Sequence, residues 1–378
     1  MKNKLKIYII AGEASGDLHG GNLMKSLNEL NSNLNFRCWG GDQMKSQGGY
    51  LVRHIKELAF MGFIEVLMNL PKILKNIRFC KQDILEFEPD VLVLIDYPGF
   101  NLRIAKWAHA NGIKVCYYIS PQVWAWKKGR VHQIKKYVFK MFVILPFEKD
   151  FYKQFNFDVE YVGNPLLDAI ENYMSDLKSI QGFRKENKLD DRPIVALLPG
   201  SRLQEIKRKL PLMLEAVNNL TDYQIVVACA PNIDDAEIKG FSNNKVRFIR
   251  GKTYDILSNA EVALVTSGTA TLETALFDVP QVVCYKSSNI SYFIAKRLVK
   301  IKYISLVNLI LDKEVVKELI QGDCTVANIQ NELSYILSGG KNRQDVLNDY
   351  QLLKIQIGES GASKKVAQSL LKTIQLPQ

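Results

Sequence analysis

The sequence predicts an α/β protein of two Rossmann-like domains facing a central cleft. Three observations carry that reading. Short apolar runs rich in β-branched residues recur with helix-forming stretches between them, this pattern occurs twice, and 378 residues exceed the usual single core. Uninterrupted apolar runs suit strands covered on both faces, hence parallel sheets with crossover helices. In such folds ligands bind at the carboxyl ends of the strands, so the chemistry is expected just after each run.

The first set of runs is Lys6–Ile10, Val91–Ile95, Lys114–Tyr118 and Phe142–Ile144, ending near residues 159–163. A polar, helix-prone segment, 173–192, precedes the second set: Ile194–Leu198, Ile225–Cys229, Val262–Val265 and Gln281–Tyr285. Beyond Asn342, apolar residues recur at helical spacing (Val346, Leu353, Ile357, then Val366, Leu370 and Leu371) with Gly358 and Gly361 between, which predicts two helices and a bend. The expected domains are 1–165 and 166–344, followed by C-terminal helices 345–378 that pack back on the first domain.

An apolar fraction of 47% and a charged fraction of 24% are ordinary for a globular chain, and no repeat or low-complexity segment interrupts it. The basic start, Met1 to Lys6, runs into an apolar stretch broken by Gly12, Glu13 and Asp17, which is neither a signal-peptide core nor a membrane span. The expectation is a cytoplasmic protein. Six cysteines without paired spacing argue for reduced, buried thiols rather than a zinc site or disulfides. The net charge of +11 suits nucleic acid, an anionic leaflet or a phosphorylated substrate. No reader motif or interleaved aromatic platform supports the first.

The first run opens into Gly12-Glu13-Ala14-Ser15-Gly16-Asp17, a glycine turn whose amides can cradle a ligand at a helix start, or a plain strand-to-helix turn capped by Ser15 or Asp17. Asp96 ends the run 91–95 beside Tyr97 and Pro98; there a carboxylate kept partly dry becomes a general base, the alternative being a loop-capping Asp. Ser120-Pro121-Gln122-Val123-Trp124-Ala125-Trp126 presents an amide and two indoles suited to a sugar or acyl site. In the second half, Gly200, Ser201 and Arg202 form an anion-binding helix start, with Glu205 one turn on. Ser267, Gly268, Thr269 and Ala270 form another, and Glu273 is placed to accept both hydroxyls of a ribose. Four histidines in no metal-binding spacing, and no Asp-x-Asp pair, predict no metal and no cofactor. Finally, Phe63, Val66, Leu67, Leu70, Ile73, Leu74 and Ile77 recur at helical spacing beside Lys72, Lys75 and Arg78, as in a helix lying on a membrane surface or one facing the core.

Taken with Met61-Gly62-Phe63-Ile64-Glu65-Val66-Leu67, these motifs resemble in order and spacing the lipid-A-disaccharide synthase family over essentially the whole chain, most specifically in Ser120–Trp126. The resemblance implies an inverting glycosyltransferase of the two-domain GT-B type. Its first domain would face acceptor and membrane, and its second would bind the UDP-sugar. It would move 2,3-diacylglucosamine from UDP to 2,3-diacylglucosamine 1-phosphate at the cytoplasmic leaflet of the inner membrane, without nucleic acid, and it admits a homo-oligomer. By the same resemblance Asp96 matches the proposed base, Arg202, Glu273 and Asn308 match positions tied to UDP-sugar recognition, and Glu318 and Gln321 fall in a further donor-site motif. Asn164 stands where the family commonly has His, so a proton-shuttling histidine is not expected there. The competing readings are another UDP-sugar enzyme of this fold, such as an epimerase, and a non-catalytic nucleotide- or RNA-binding module.

Overall fold

The computed structural model describes residues 4–58, 70–126, 128–175, 180–230, 233–241, 245–288, 292–293, 297 and 301–375. The chain divides into two compact units, residues 1–168 with 359–378, and residues 169–358.

The first unit is built on a seven-stranded sheet. Its strands are β1 (Leu5–Ala11), β2 (Leu34–Gly40), β3 (Tyr50–His54), β4 (Val91–Ile95), β5 (Val115–Tyr118), β6 (Lys140–Val143) and β7 (Glu160–Tyr161), in the order β3-β2-β1-β4-β5-β6-β7. All recorded pairings are parallel, Ala11 facing Ile95 at the end of the β1–β4 pair. Alternate strand residues such as Ile7, Ile9, Val91 and Val93 pack against Leu23, Met24 and Leu27 of the helix Ala14–Leu30 and against Val366 and Leu370 of the helix Ala362–Gln375.

The second unit repeats the plan with β8 (Ile194–Leu198), β9 (Gln224–Cys229), β10 (Val246–Arg250), β11 (Ala260–Thr266), β12 (Gln281–Tyr285) and β13 (Lys317–Ile320), in the order β10-β9-β8-β11-β12-β13. Each sheet therefore reverses its winding between two central strands, β1 and β4 in one, β8 and β11 in the other. In a doubly wound sheet that reversal opens a crevice at the carboxyl ends, where connections leave in opposite directions. Four of the predicted site turns follow these four strands, and the fifth, Ser120–Trp126, follows β5.

The C-terminal helices divide otherwise than expected. The helix Arg343–Ile357 stays with the second unit, against Leu306–Leu311, and only Ala362–Gln375 joins the first. Gly358 (φ 82°) and Gly361 (φ 98°) take left-handed backbone between them, which side chains resist. Asp168 then fixes the entry of the last helix, its carboxylate accepting the N–H groups of Gly361 (2.5 Å), Ala362 (3.2 Å) and Ser363 (3.1 Å).

All six cysteines are free and buried. Among the described residues no helix is long and apolar enough to cross a membrane.

Candidate active site

In the first unit the turns after β1 and β4 touch. Gly12 lies against the ring of Tyr97, where a Cβ would collide with it. Gly16 brings the helix Ala14–Leu30 down on Ala11, a Cβ there falling 3.1 Å from that of Ala11. Glu13, not Ser15 or Asp17, is the N-cap, and it makes no side-chain cap bond; Glu13 and Ser15 are exposed at the turn.

Asp96 (φ 42°) and Tyr97 (φ 49°) are consecutive non-glycine residues in left-handed backbone, a conformation that persists only where its surroundings enforce it. Here they do. The Asp96 carbonyl accepts the Tyr117 hydroxyl (2.5 Å) and the Asn101 amide (2.8 Å), and its N–H donates to the Tyr118 carbonyl (3.1 Å). The carboxyl is pushed up to about 6, chiefly by burial and further by the negative charge of Glu13, against an opposing bond from the Tyr97 N–H. A carboxylate so tuned is a competent general base near neutral pH.

Other predicted members of this half lie elsewhere. Asp17 is 4% exposed, and its carboxylate accepts the N–H groups of Gly41 (2.6 Å), Gln43 (3.1 Å) and Met44 (3.1 Å). Its carboxylate thereby organises the loop after β2. Gln122 is exposed, whereas Trp124 is packed inward, 8% exposed, edge-on to Phe147. The indole N–H of Trp124 donates to Glu148 (3.3 Å), so Trp124 packs with the core of this unit. Glu148, not singled out from the sequence, also accepts the N–H groups of Ile144 (3.2 Å) and Leu145 (3.0 Å), and burial raises its carboxyl to about 7. The available signal was Leu145-Pro146 followed by an acid three positions after the cap. Asn164 is buried and its side chain accepts the Leu166 N–H (3.0 Å), shaping the turn into the helix Pro165–Ser175.

Phe63, Val66 and Leu67, with the side chain of Leu70, lie outside the described residues. On the helix Leu70–Phe87 the predicted membrane stripe divides: Leu74 is 46% exposed and Ile73 half-buried, but Ile77 is 7% exposed and belongs with Cys80 and Ile84 to the core-facing side. Ile77 is therefore corrected from membrane contact to packing. A buried network pins this helix to the sheet: the Tyr8 hydroxyl donates to Asp83 (2.5 Å), the Trp39 indole to Tyr8 (2.9 Å), and Arg37 pairs with Asp83.

In the second unit the turns after β8 and β11 line one cavity of about 390 Å³, with Leu198, Gly200, Ser201, Arg202, Glu205, Ala228, Ala230, Thr253, Thr266, Ser267, Gly268, Thr269, Ala270 and Glu273 around it. Gly200 (φ 114°) and Gly268 (φ 122°) both require left-handed backbone, and Glu205 Oε2 would stand 2.5 Å from a Cβ at Gly200. The helices Leu203–Val217 and Thr269–Leu276 begin at these turns and present their amino ends, which attract anions. Arg202 is exposed at the rim, 3.4 Å from Glu205. Glu273 accepts the Tyr254 hydroxyl (3.2 Å), and burial raises its carboxyl. A second cavity, about 420 Å³ and lined by Gln281, Lys313 and Lys317, opens at the amino ends of β12 and β13, the wrong pole for a doubly wound sheet's ligand.

Asn308, Glu318 and Gln321 do not line the cavity at the turns after β8 and β11. The Asn308 amide donates to Val316 O (2.8 Å) and Glu318 (2.9 Å) and accepts from Val315 (2.8 Å) and Val316 (3.0 Å). Glu318 accepts the N–H groups of Ile304 and Ser305, both at 2.9 Å, and the Ile304 carbonyl in turn accepts the Ser267 hydroxyl (2.9 Å). Gln321 clamps Ser287 through both its amide atoms. Glu318, held by Asn308, thus braces the β11 turn through Ile304, while Gln321 holds the segment after β12. Among the described residues no group of three or more His, Cys, Asp or Glu side chains is arranged to hold a metal.

A family model described as lipid-A-disaccharide synthetase matches residues 7–372. A lipid-A-disaccharide synthase of Myxococcus xanthus is 38% identical over 382 residues, and one of Syntrophus aciditrophicus is 40% identical over 382 residues, with 99% of each chain covered in both cases. Among solved structures, a UDP-GlcNAc 2-epimerase from Neisseria meningitidis bound to UDP-GlcNAc aligns with a TM-score of 0.70 at 13% identity, over 97% of this chain and 100% of that one. The S. aureus MnaA-UDP co-structure gives 0.70 at 13% identity, over 99% and 98%. Identity this low speaks for a common fold alone.

Proposed function

This chain belongs to the lipid-A-disaccharide synthetase family and is a glycosyltransferase, and we propose that it condenses UDP-2,3-diacylglucosamine with 2,3-diacylglucosamine 1-phosphate. The products are the acylated β-1,6 disaccharide 1-phosphate, an intermediate of lipid A biosynthesis, and UDP.

The observation that carries the donor assignment is the convergence of two glycine turns, Arg202 and Glu273 on one cavity at the carboxyl edge of the second sheet. The helix amino ends and Arg202 neutralise the diphosphate, and Glu273 accepts the ribose hydroxyls. In the first unit Asp96 takes the proton of the acceptor's 6-hydroxyl. The oxygen attacks the anomeric carbon, the bond from that carbon to the diphosphate breaks, and UDP leaves with the electron pair, so configuration inverts. Charge develops on the leaving diphosphate, and preorganised N–H groups and a guanidinium stabilise it there.

The helix Leu70–Phe87 docks on the anionic cytoplasmic leaflet of the inner membrane through exposed Leu74, with Lys75 and Arg78 exposed on the same helix. Each cation near such a surface contributes about 1 kcal/mol. Incubating the protein with both acyl sugars and following UDP and disaccharide together tests the reaction; UDP-sugar epimerisation without disaccharide would favour the rival assignment.

A further inference from the structure

Lys209 lies on the helix Leu203–Val217, one turn beyond Glu205, and is 3% exposed. Its ammonium donates to the Thr266 hydroxyl and lies 3.8 Å from Glu205. Both partners line the donor-side cavity. Thr266 is the last residue of β11, immediately before Ser267-Gly268, while Glu205 packs on Gly200 and pairs through its other oxygen with Arg202. Lys209 thus joins the two glycine turns from beneath, one through a hydroxyl and the other through a carboxylate.

An apolar side chain of similar length would fill this space without the desolvation that a buried ammonium suffers. Burial indeed lowers the pKa of Lys209, with Glu205, Cys284 and Cys324 around it acting in the opposite direction. The charge is retained at a cost, and Lys209 and Arg202 set two cations about the single Glu205 carboxylate.

We propose that Lys209 is a positioning residue of the donor site, its buried ammonium holding the two turns in register and setting a fixed positive potential behind the diphosphate. This rests on the donor-site reading above. It differs from a packing role in one respect: a residue acting on phosphate through charge alters the affinity for UDP and spares the affinity for uridine, which lacks phosphate.

The test is ligand titration of wild type and Lys209→Met with UDP and with uridine, together with a melting curve. In the folded variant the dissociation constant for UDP should rise roughly tenfold while that for uridine stays within about twofold, the scale of one charge acting at short range in a partly shielded site. Should Lys209→Met not fold, Lys209→Gln keeps a donor for Thr266 without the charge and carries the same expectation. Unchanged UDP affinity, or equal losses for UDP and uridine, would overturn the role of Lys209. Wild-type protein that binds neither ligand would overturn the donor-site reading and this role with it.

Discussion

At the scale of single residues, the proposed base is Asp96, whose strained backbone is held by Tyr117, Asn101 and Tyr118 and whose carboxyl is raised to about 6. Asp96→Asn keeps the shape and removes the base, so turnover should fall by roughly 10²–10⁴-fold in steady-state assays. Wild-type kcat/KM should decline as pH drops through about 6, where the base takes up its proton, and this limb should be missing from Asp96→Asn. Glu148 gives a stability counterpart. Folded, its carboxyl keeps its proton up to about 7, whereas the unfolded chain releases it near 4.5, so its contribution to stability declines as pH rises between those values. Melting temperatures should therefore depend less on pH over that window in Glu148→Gln; an unchanged slope would contradict the assignment. The place of Asp96 at a strand end was legible because it ends a five-residue apolar run, and position along a strand is a local property. The partners of Asp17 and Asn308 were not legible, because they are set by tertiary contacts. Asp17 meets a loop 24 residues away, and a carboxylate facing that loop looks in the sequence like one facing a ligand.

At the scale of elements, the eight apolar runs all became strands, since continuous burial on both faces leaves an unmistakable pattern. The strands β2, β3, β7, β10 and β13 were not anticipated. All but β2 lie at or beside a sheet edge as its first or last strand, and β2 next to one; each mixes polar with apolar residues, as in Lys317-Glu318-Leu319-Ile320. The helix Leu70–Phe87 shows a similar limit: periodicity reports an apolar stripe but not what covers it, and Ile77 faces the core while Leu74 is exposed. Binding to anionic vesicles should weaken with added salt and with Leu74→Ser. An exposed position typically changes stability by no more than about 0.5 kcal/mol, so the variant should remain folded. Vesicle binding equal to wild type in a flotation assay would place the docking surface elsewhere.

At the scale of the whole molecule, two sheets of the same winding place glycine turns after their central strands, and the proposed chemistry assigns a base to one unit and anion-binding turns to the other. This plan serves epimerases and glycosyltransferases alike, which is why fold neighbours at 13% identity leave the reaction open and relatives at 38–40% identity over 99% of their length narrow it. The net charge of +11 agrees with phosphorylated ligands and an anionic surface without choosing between them. Arg202→Ala should weaken UDP binding by about 1.5–3 kcal/mol, the worth of a charge-assisted contact, and Glu273→Ala should weaken it as well; calorimetry with unchanged affinity in both would reject the cavity as donor site. Activity should survive excess EDTA, because in the proposed mechanism helix amino ends and Arg202 take the part of a metal at the diphosphate. The most direct measurement of the central claim is a time course with UDP-2,3-diacylglucosamine and 2,3-diacylglucosamine 1-phosphate in which UDP and disaccharide are quantified together. Equal amounts of the two, absent without the acceptor, are the predicted result; UDP released without disaccharide, or a donor sugar epimerised and still attached to UDP, would contradict it.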